Sequence, residues 1–538
     1  MAKKATKKNG ANGNSFEQHL WDTANKLRGS VESSEYKHVV LSLIFLKFAS
    51  DKFEERRQEL IDEGKEKYLD MVEFYTMKNV FFLPEESRWD FIKKNAKQDD
   101  LAIRIDTALT TVEKNNKALK GALPDNYFSR LGLDSAKLAA LIDTISNIDT
   151  VSDKKEDVVG RVYEYFLGKF AATEGKGGGE FYTPKDVVNL IAEMIEPYSG
   201  KIYDPCCGSG GMFVQSVKFV ENHHGNTKDI SIYGQESIGA TYKLAKMNLA
   251  IRSISGKLGE VPQDTFFKDQ HPDLKADYVM ANPPFNLKQW RGPDELLDDP
   301  RWEGYEVPPA NNANYAWILH MISKLSENGV AGFVLANGSM STTTNSEGEI
   351  RKKIIESDLV DCMIALPGQL FYTTPIPVCL WFLSKNKKLD TKRGYRDRQG
   401  ETLFIDARNM GTLVDRVHRD LSVEDIADIA GTYHAWRGDA QGRACLAGDR
   451  TSGATGTEVG EYEDKAGFCK SATLEDIKKH QYVLTPGRYV GVAELEDDGV
   501  PFEEKMAGLA GTLYKQMKEG EELDVVIRRN LEVLGYGE

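Results

Sequence analysis

Residues 201–213 read KIYDPCCGSGGMF, and the parsing of this stretch decides the fold. Its first half is a short apolar run that predicts a strand. Asp204 and Pro205 end that run, and Gly208, Ser209, Gly210 and Gly211 predict a tight turn into a helix. Such a turn leaves free backbone N–H groups and lets a ligand approach the chain closely. No Lys-Ser or Lys-Thr follows the glycines, which argues against a phosphate-cradling P-loop. Outward from this point, ISIYGQE (230–236), DYVMANPP (277–284), GVAGFVLANG (329–338), VDCMIALP (360–367) and PVCLWFLS (377–384) also read as buried strands. They alternate with helical patterns, which predicts an α/β domain with a mainly parallel, twisted sheet and flanking helices.

In such sheets ligands lie at the carboxyl ends of the strands, and two further features fall there. Glu236 ends the strand after the glycine turn and is placed to accept hydrogen bonds from ribose hydroxyls. It lies about 26 to 28 residues past the glycines, somewhat beyond the roughly 20 of a dinucleotide fold. An adenosine-containing ligand fits, and this motif alone leaves NAD open. The second feature is Asn282-Pro283-Pro284-Phe285. The prolines pre-set the backbone and remove two N–H donors, so acceptors dominate there, and Asn282 adds a side-chain carbonyl. Two converging acceptors suit an exocyclic amine, which offers two N–H donors. Phe285 offers an aromatic face for a planar base.

The rest of the chain divides by texture. Residues 1–14 read as a flexible basic tail, and 15–168 as an N-terminal helical domain. In the latter, Phe16, Leu20, Ala24 and Leu27, then Val39, Leu43, Leu46 and Phe48, recur at helical spacing. A Gly-rich hinge, TEGKGGGEFYTPKDVV (173–188), leads into the α/β domain, taken as 169–490. Within it, about 385–465 reads as a polar insertion that retains a strand-like TLFIDA (402–407) and a helix-like VEDIADIAGTYHAW (423–436). Residues 491–538 form a helical tail. Phe502, Met506, Leu509, Leu513 and Met517, then Leu523, Ile527, Leu531 and Leu534, draw one apolar stripe on two consecutive helical segments. His223 and His224 read as a solvated turn.

The chain has 538 residues, 41% hydrophobic and 28% charged, which fits a globular protein of several domains. Its formal charge of -14 lowers the expectation that it grips nucleic acid alone, because phosphate neutralisation carries much of such affinity. Six cysteines form no disulfide framework and no metal-ligand spacing, so no metal site is expected. The longest apolar run, LSLIFLKF (41–48), is far short of a membrane span, and the start lacks a signal peptide's apolar stretch. A reducing, cytoplasmic setting is the expectation.

Together, DPCCGSGGMF (204–213) and NPPF (282–285) resemble the class I S-adenosylmethionine-dependent methyltransferases that act on amino groups, adenine N6 in DNA above all. GEFYTPKDVV (179–188), YEVPPANNANYAWILH (305–320), GFCKSATLEDIKKHQYVLTPGRYVG (467–491) and the N-terminal helical domain extend the likeness to the modification subunit of type I restriction–modification systems. The resemblance covers almost the whole chain. It implies that Glu180, Phe181, Tyr182, Thr183, Pro184 and Lys185 contact the methionine end of S-adenosylmethionine, and that Asp204, Gly208, Ser209, Gly210 and Gly211 line the same pocket. It further implies that Glu236 binds the ribose, that Asp264 binds the adenine amine of the cofactor, and that Asn282, Pro283, Pro284 and Phe285 hold the target adenine. The implied partners are double-stranded DNA, a specificity subunit joined by two copies of this chain, and a motor and nuclease subunit. Two rivals stay open on the motifs: a protein glutamine amide as methyl acceptor, and a non-catalytic, cofactor-binding subunit.

Overall fold

The computed structural model describes residues 21–22, 25, 33–147, 165–166, 183–371, 375–414, 418–438, 461–492 and 502–533. The chain forms two compact units, 1–491 and 492–538. In the first, α1 (Ser33–Asp62), α2 (Leu101–Asn115) and α3 (Ser135–Ile145) build a helical layer with short helical turns between them. Val39, Leu43 and Leu46 are buried in its core and Phe48 packs against it half-buried, as their spacing predicts, while Phe16, Leu20, Ala24 and Leu27 lie outside the described residues. That core does not stop at the helical layer. It takes in Leu244, Met247 and Ile251 from the helix Gly239–Ile251.

The α/β part carries α4 (Lys185–Ile195), α5 (Gly211–Asn222), α6 (Gly239–Ile251), α7 (Asn314–Lys324), α8 (Glu347–Glu356) and α9 (Val423–Arg437). Its strands are β1 (Gly200–Asp204), β2 (Ile230–Gly234), β3 (Gly256–Lys257), β4 (Ala276–Ala281), β5 (Leu325–Ala336), β6 (Val360–Ala365), β7 (Val378–Ser384) and β8 (Glu401–Asp406). A short hairpin, β9 (Thr412–Leu413) and β10 (Arg419–Asp420), and the edge strand β11 (Cys469–Thr473) follow. The main sheet has nine strands in the order β11-β8-β6-β7-β5-β4-β1-β2-β3. Pairings β3·β2·β1·β4·β5 and β6·β8 are parallel, while β7 runs antiparallel between β5 and β6. The sheet is thus mainly parallel, as the alternation of strands and helices predicts. Separate apolar cores cover its two faces, which is why its central strands read as unbroken apolar runs.

Two pieces of the polar stretch 385–465 are built into this sandwich. β8 pairs with both β6 and β11, and its Leu403, Phe404 and Ile405 are fully buried. α9 opens with a capping box from Ser422 and Asp425 and packs against α4. His223 departs from the solvated turn expected of it. It caps the end of α5, its Nδ1 lies 2.8 Å from the Phe219 carbonyl, and its ring packs on Phe219 at 4.2 Å.

In the second unit, 502–533 is one continuous helix, α10 (Phe502–Val533), rather than two segments. Gly508, Gly511 and Gly520 all lie inside it, the last between the two predicted segments. A helix-interior glycine costs about 1 kcal/mol relative to alanine, too little to split a helix flanked by Lys and Glu. Met506, Leu509, Leu513, Met517, Leu523, Ile527 and Leu531 are exposed along it.

Candidate active site

Parallel register brings the carboxyl ends of β1, β2 and β4 together: Tyr203 stands opposite Tyr233 on one side and Val279 on the other. Asp204 ends β1, Glu236 lies two residues past β2 and Asn282 one past β4, so one edge of the sheet gathers the three motifs.

The glycine turn owes its shape to left-handed residues. Gly208 has φ 54° and Gly210 φ 82°, conformations that favour glycine, and Gly210 caps the start of α5. A Cβ added at Gly208 or Gly211 would meet nothing within 4 Å, so this side of the turn faces open space. The other side is anchored: Asn248 Nδ2 on α6 donates to the Ser209 carbonyl at 2.7 Å, and the Cys206 N–H donates to Asp204 Oδ1 at 3.0 Å. Burial, with the nearby Glu236 charge adding to it, raises the Asp204 carboxyl to about 7. Burial likewise pushes the Cys206 and Cys207 thiols well up, so neither is a reactive thiolate.

Glu236 ties the loops together. Its Oε2 accepts from Gly208 N–H at 3.0 Å and its Oε1 from Ile238 N–H at 2.8 Å. Ser237 Oγ adds a longer bond to Oε1 at 3.4 Å. Gln263 N–H donates to the Glu236 carbonyl at 2.9 Å and sets Asp264 alongside. Asp264 Oδ1 caps its own turn through Phe266 N–H at 2.7 Å, and Thr265 Oγ1 donates to the Pro205 carbonyl at 2.6 Å. Arg301 clamps the same turn from outside, donating to the Thr265 and Phe266 carbonyls at 3.2 and 2.6 Å. Ile238 and Phe267, two and three residues past the two carboxylates, are exposed apolar side chains.

Asn282 is the most informative residue. It is 9% exposed, and its Nδ2 donates to Thr183 Oγ1 at 2.9 Å. Its Oδ1 is buried and has no hydrogen-bond partner among the described residues. A buried orphan acceptor costs about 1–3 kcal/mol, so this atom is set up for a donor that comes from elsewhere. Phe285 stands edge-on to Phe371, with centroids 5.9 Å apart and planes at 72°. Beyond it, Asn286 and Asn314 exchange two bonds, Asn286 N–H to Asn314 Oδ1 and Asn314 Nδ2 to Asn286 Oδ1, both 2.9 Å. The arrangement offers acceptors to an amine, aromatic rings to a planar base, and carboxylates to hydroxyl and amine groups.

The structure therefore brings Asp204, Gly208, Ser209, Gly210, Gly211, Glu236, Asp264, Asn282, Pro283, Pro284 and Phe285 to one sheet edge, with Thr183 bonded to Asn282. Pro184 caps α4 and is buried, and Lys185 begins that helix with its side chain exposed. Glu180, Phe181 and Tyr182 lie outside the described residues. Sequence reasoning missed Phe371, Ile238, Phe267 and Asn314. For Phe371 a signal existed: an aromatic just past the carboxyl end of β6, on the same edge as Phe285.

Comparison with known proteins gives a consistent picture. The family described as N-6 DNA Methylase matches residues 154–498, and the HsdM N-terminal domain matches 16–145. The chain is similar to the type I restriction enzyme HindI methylase subunit of Haemophilus influenzae, with 48% identity over 84% of this chain and 100% of that one. It is also similar to the type I restriction enzyme MjaIX methylase subunit of Methanocaldococcus jannaschii, with 40% identity over 97% of this chain and 92% of that one. In fold it is similar to the type I restriction-modification methyltransferase subunit from Streptococcus thermophilus. There the TM-score is 0.70 at 23% identity, covering 88% of this chain and 99% of that one. A modification subunit of a putative type I restriction enzyme from Vibrio vulnificus has a TM-score of 0.56 at 16% identity, covering 91% and 99%.

Proposed function

Since the chain belongs to the N-6 DNA methylase family, among the methylase subunits of type I restriction enzymes, we propose that it methylates N6 of an adenine flipped out of duplex DNA. The buried, unpartnered Oδ1 of Asn282 carries this reading. The adenine amine has two N–H donors; Asn282 Oδ1 accepts one and the Pro283 carbonyl the other, which turns the nitrogen lone pair toward the incoming methyl group. Phe285 and Phe371 flank the base. Stacking worth roughly 1–3 kcal/mol per base offsets much of the few kcal/mol that flipping costs.

The residues present fit the family's cofactor. S-adenosylmethionine, when bound, supplies a methyl group already activated by its sulfonium. The open side of Gly208 and Gly211 gives room for it, Glu236 accepts from the ribose, and Asp264 accepts from the cofactor's adenine amine. Ile238 and Phe267 offer apolar cover for that adenine. Glu180, Phe181, Tyr182, Thr183, Pro184 and Lys185 close the methionine end. The chain's contribution is in-line positioning at about 3 Å and exclusion of water.

Target choice falls to a separate specificity subunit, which two copies of this chain join, and α10 is the docking element. A motor and nuclease subunit completes the assembly, and methylation by this chain protects host DNA from it in the cytoplasm. Among the described residues no helix is long and apolar enough to cross a membrane. The domains follow the division 15–168, 169–490 and 491–538.

The test is transfer of labelled methyl from S-adenosylmethionine to DNA by the chain with its specificity subunit, with the product base identified by mass spectrometry. N6-methyladenine is expected. Asn282→Ala should cut the rate by about 100-fold or more while calorimetry still shows cofactor binding. Label appearing only in protein, or an unchanged rate in the variant, would overturn the reading.

A further inference from the structure

An asparagine amide is chemically two-sided, and only one side can serve this site. Turned one way, Asn282 presents a carbonyl oxygen that accepts from the adenine amine. Turned the other way, it presents N–H donors to a donor, which repels the amine and holds nothing. The strand that delivers Asn282 does not decide between the two. β4 ends at Ala281, and rotation about the last side-chain bond of Asn282 is soft.

We infer that Thr183 makes the choice: it is a positioning residue that holds the Asn282 amide with Oδ1 toward the substrate. The inference rests on the methyltransferase reading above and deepens it. Three observations carry it. The bond runs from Asn282 Nδ2 to Thr183 Oγ1 at 2.9 Å, so the hydroxyl acts as acceptor and engages the half of the amide that must face away. The opposite half, Oδ1, is buried without a partner among the described residues, so none of them competes for it. Thr183 also stands directly before Pro184, the cap of α4, whose φ is -55° and ψ 141°. Proline removes backbone freedom at that point and restricts the residue before it, so the hydroxyl is delivered from a pre-set stretch of chain. Being an acceptor leaves the hydroxyl its own proton. A carboxylate on the methionine end of the cofactor is the chemistry suited to take it, and such a bond would hold the lone pair toward Asn282. One threonine would then make the readiness of the base site depend on an occupied cofactor site.

The inference is separable from a cofactor contact and from a folding role. The full chain with its specificity subunit is assayed at saturating S-adenosylmethionine for the rate of methyl transfer, and by calorimetry for cofactor affinity. Thr183→Val keeps the shape and removes the hydroxyl, and it should lower the saturated rate by about 100-fold, the cost of misplacing a reacting group by roughly an ångström. Thr183→Ser should restore most of it. Asn282→Asp supplies the decisive arm, because a carboxylate has two equivalent oxygens and no wrong side. In that background Thr183→Val should cost several-fold less than in the native one, so the two changes are not additive. Equal losses in both backgrounds would overturn the inference, as would a Thr183→Val enzyme that loses only cofactor affinity. If Asn282→Asp is too slow to measure, the Ser and Val variants decide alone: equal rates for the two sink the inference. Failure of the native complex to methylate adenine would instead defeat the methyltransferase reading.

Discussion

At the scale of single residues, Asp204 shows how burial can tune the proposed cofactor pocket. Its carboxyl is raised to about 7, first by burial and then by the Glu236 charge. An acid whose folded pKa exceeds its unfolded value holds its proton more tightly when folded. Its stabilising contribution is complete below the unfolded value near 4 and is lost as pH rises through about 7. A cationic ligand reverses the preference, since it favours the ionised carboxylate. The ligand-free chain should therefore melt at a lower temperature at about pH 8 than at about pH 6, while its affinity for S-adenosylmethionine should rise over the same interval. Asp204→Asn should flatten both dependences. Thermal melts and calorimetry at the two pH values check this, and a variant that keeps both slopes would remove Asp204 as their source.

At the scale of elements, the proposed catalytic loop is held from both ends by partners distant in sequence. Thr183 reaches Asn282 across 99 residues, and Asn314, 2% exposed at the start of α7, reaches Asn286 across 28. Asn286 has φ 53°, a left-handed conformation that the second clasp helps to hold. Ala313 N–H adds a bond to the Leu287 carbonyl at 3.0 Å. Asn314→Ala would remove both side-chain bonds to Asn286, which is itself exposed, at a cost of about 0.5–1.5 kcal/mol per bond. Because the loop carries Phe285, methyl transfer should fall more than cofactor affinity does. Denaturant melts paired with calorimetry and rate measurements test that, and parallel losses in all three would reduce Asn314 to a folding role. These clasps also mark what was legible in the sequence. The glycine turn and Asn-Pro-Pro-Phe could be read because their chemistry sits in consecutive residues. The strands β1, β2 and β4 through β8 could be read because burial on both faces leaves continuous apolar runs. Asn314 and the bond of Thr183 to Asn282 gain meaning only from pairings that folding creates. β3, two residues long and exposed, has no pattern to read.

At the scale of the whole molecule, the formal charge of -14 has to be reconciled with a duplex DNA substrate. The site supplies base chemistry more than phosphate grip. Its named contacts are acceptors, carboxylates and aromatic rings, and two of its central groups, Asp204 and Glu236, are acidic. Flipping a base costs a few kcal/mol before any contact is made. An acidic surface adds repulsion of the phosphates to that cost, and the repulsion extends about 10 Å at 0.1 M salt. We propose that positive charge and sequence reading are delivered by another chain, and that α10, with its apolar residues exposed, recruits it. The isolated chain should accordingly bind duplex DNA weakly and with little sequence preference at physiological salt, while the complex with a specificity subunit binds tightly. Removing residues 502–533 should abolish that gain without altering S-adenosylmethionine affinity. Fluorescence anisotropy over a salt series, with the chain alone, the complex and the truncated chain plus specificity subunit, measures all three. The complex should show the steeper loss of affinity with salt, because it neutralises more phosphates. Tight, sequence-selective binding by the chain alone would mean that its charge is distributed to form a DNA-gripping surface of its own, and the division of labour argued from the net charge would fall.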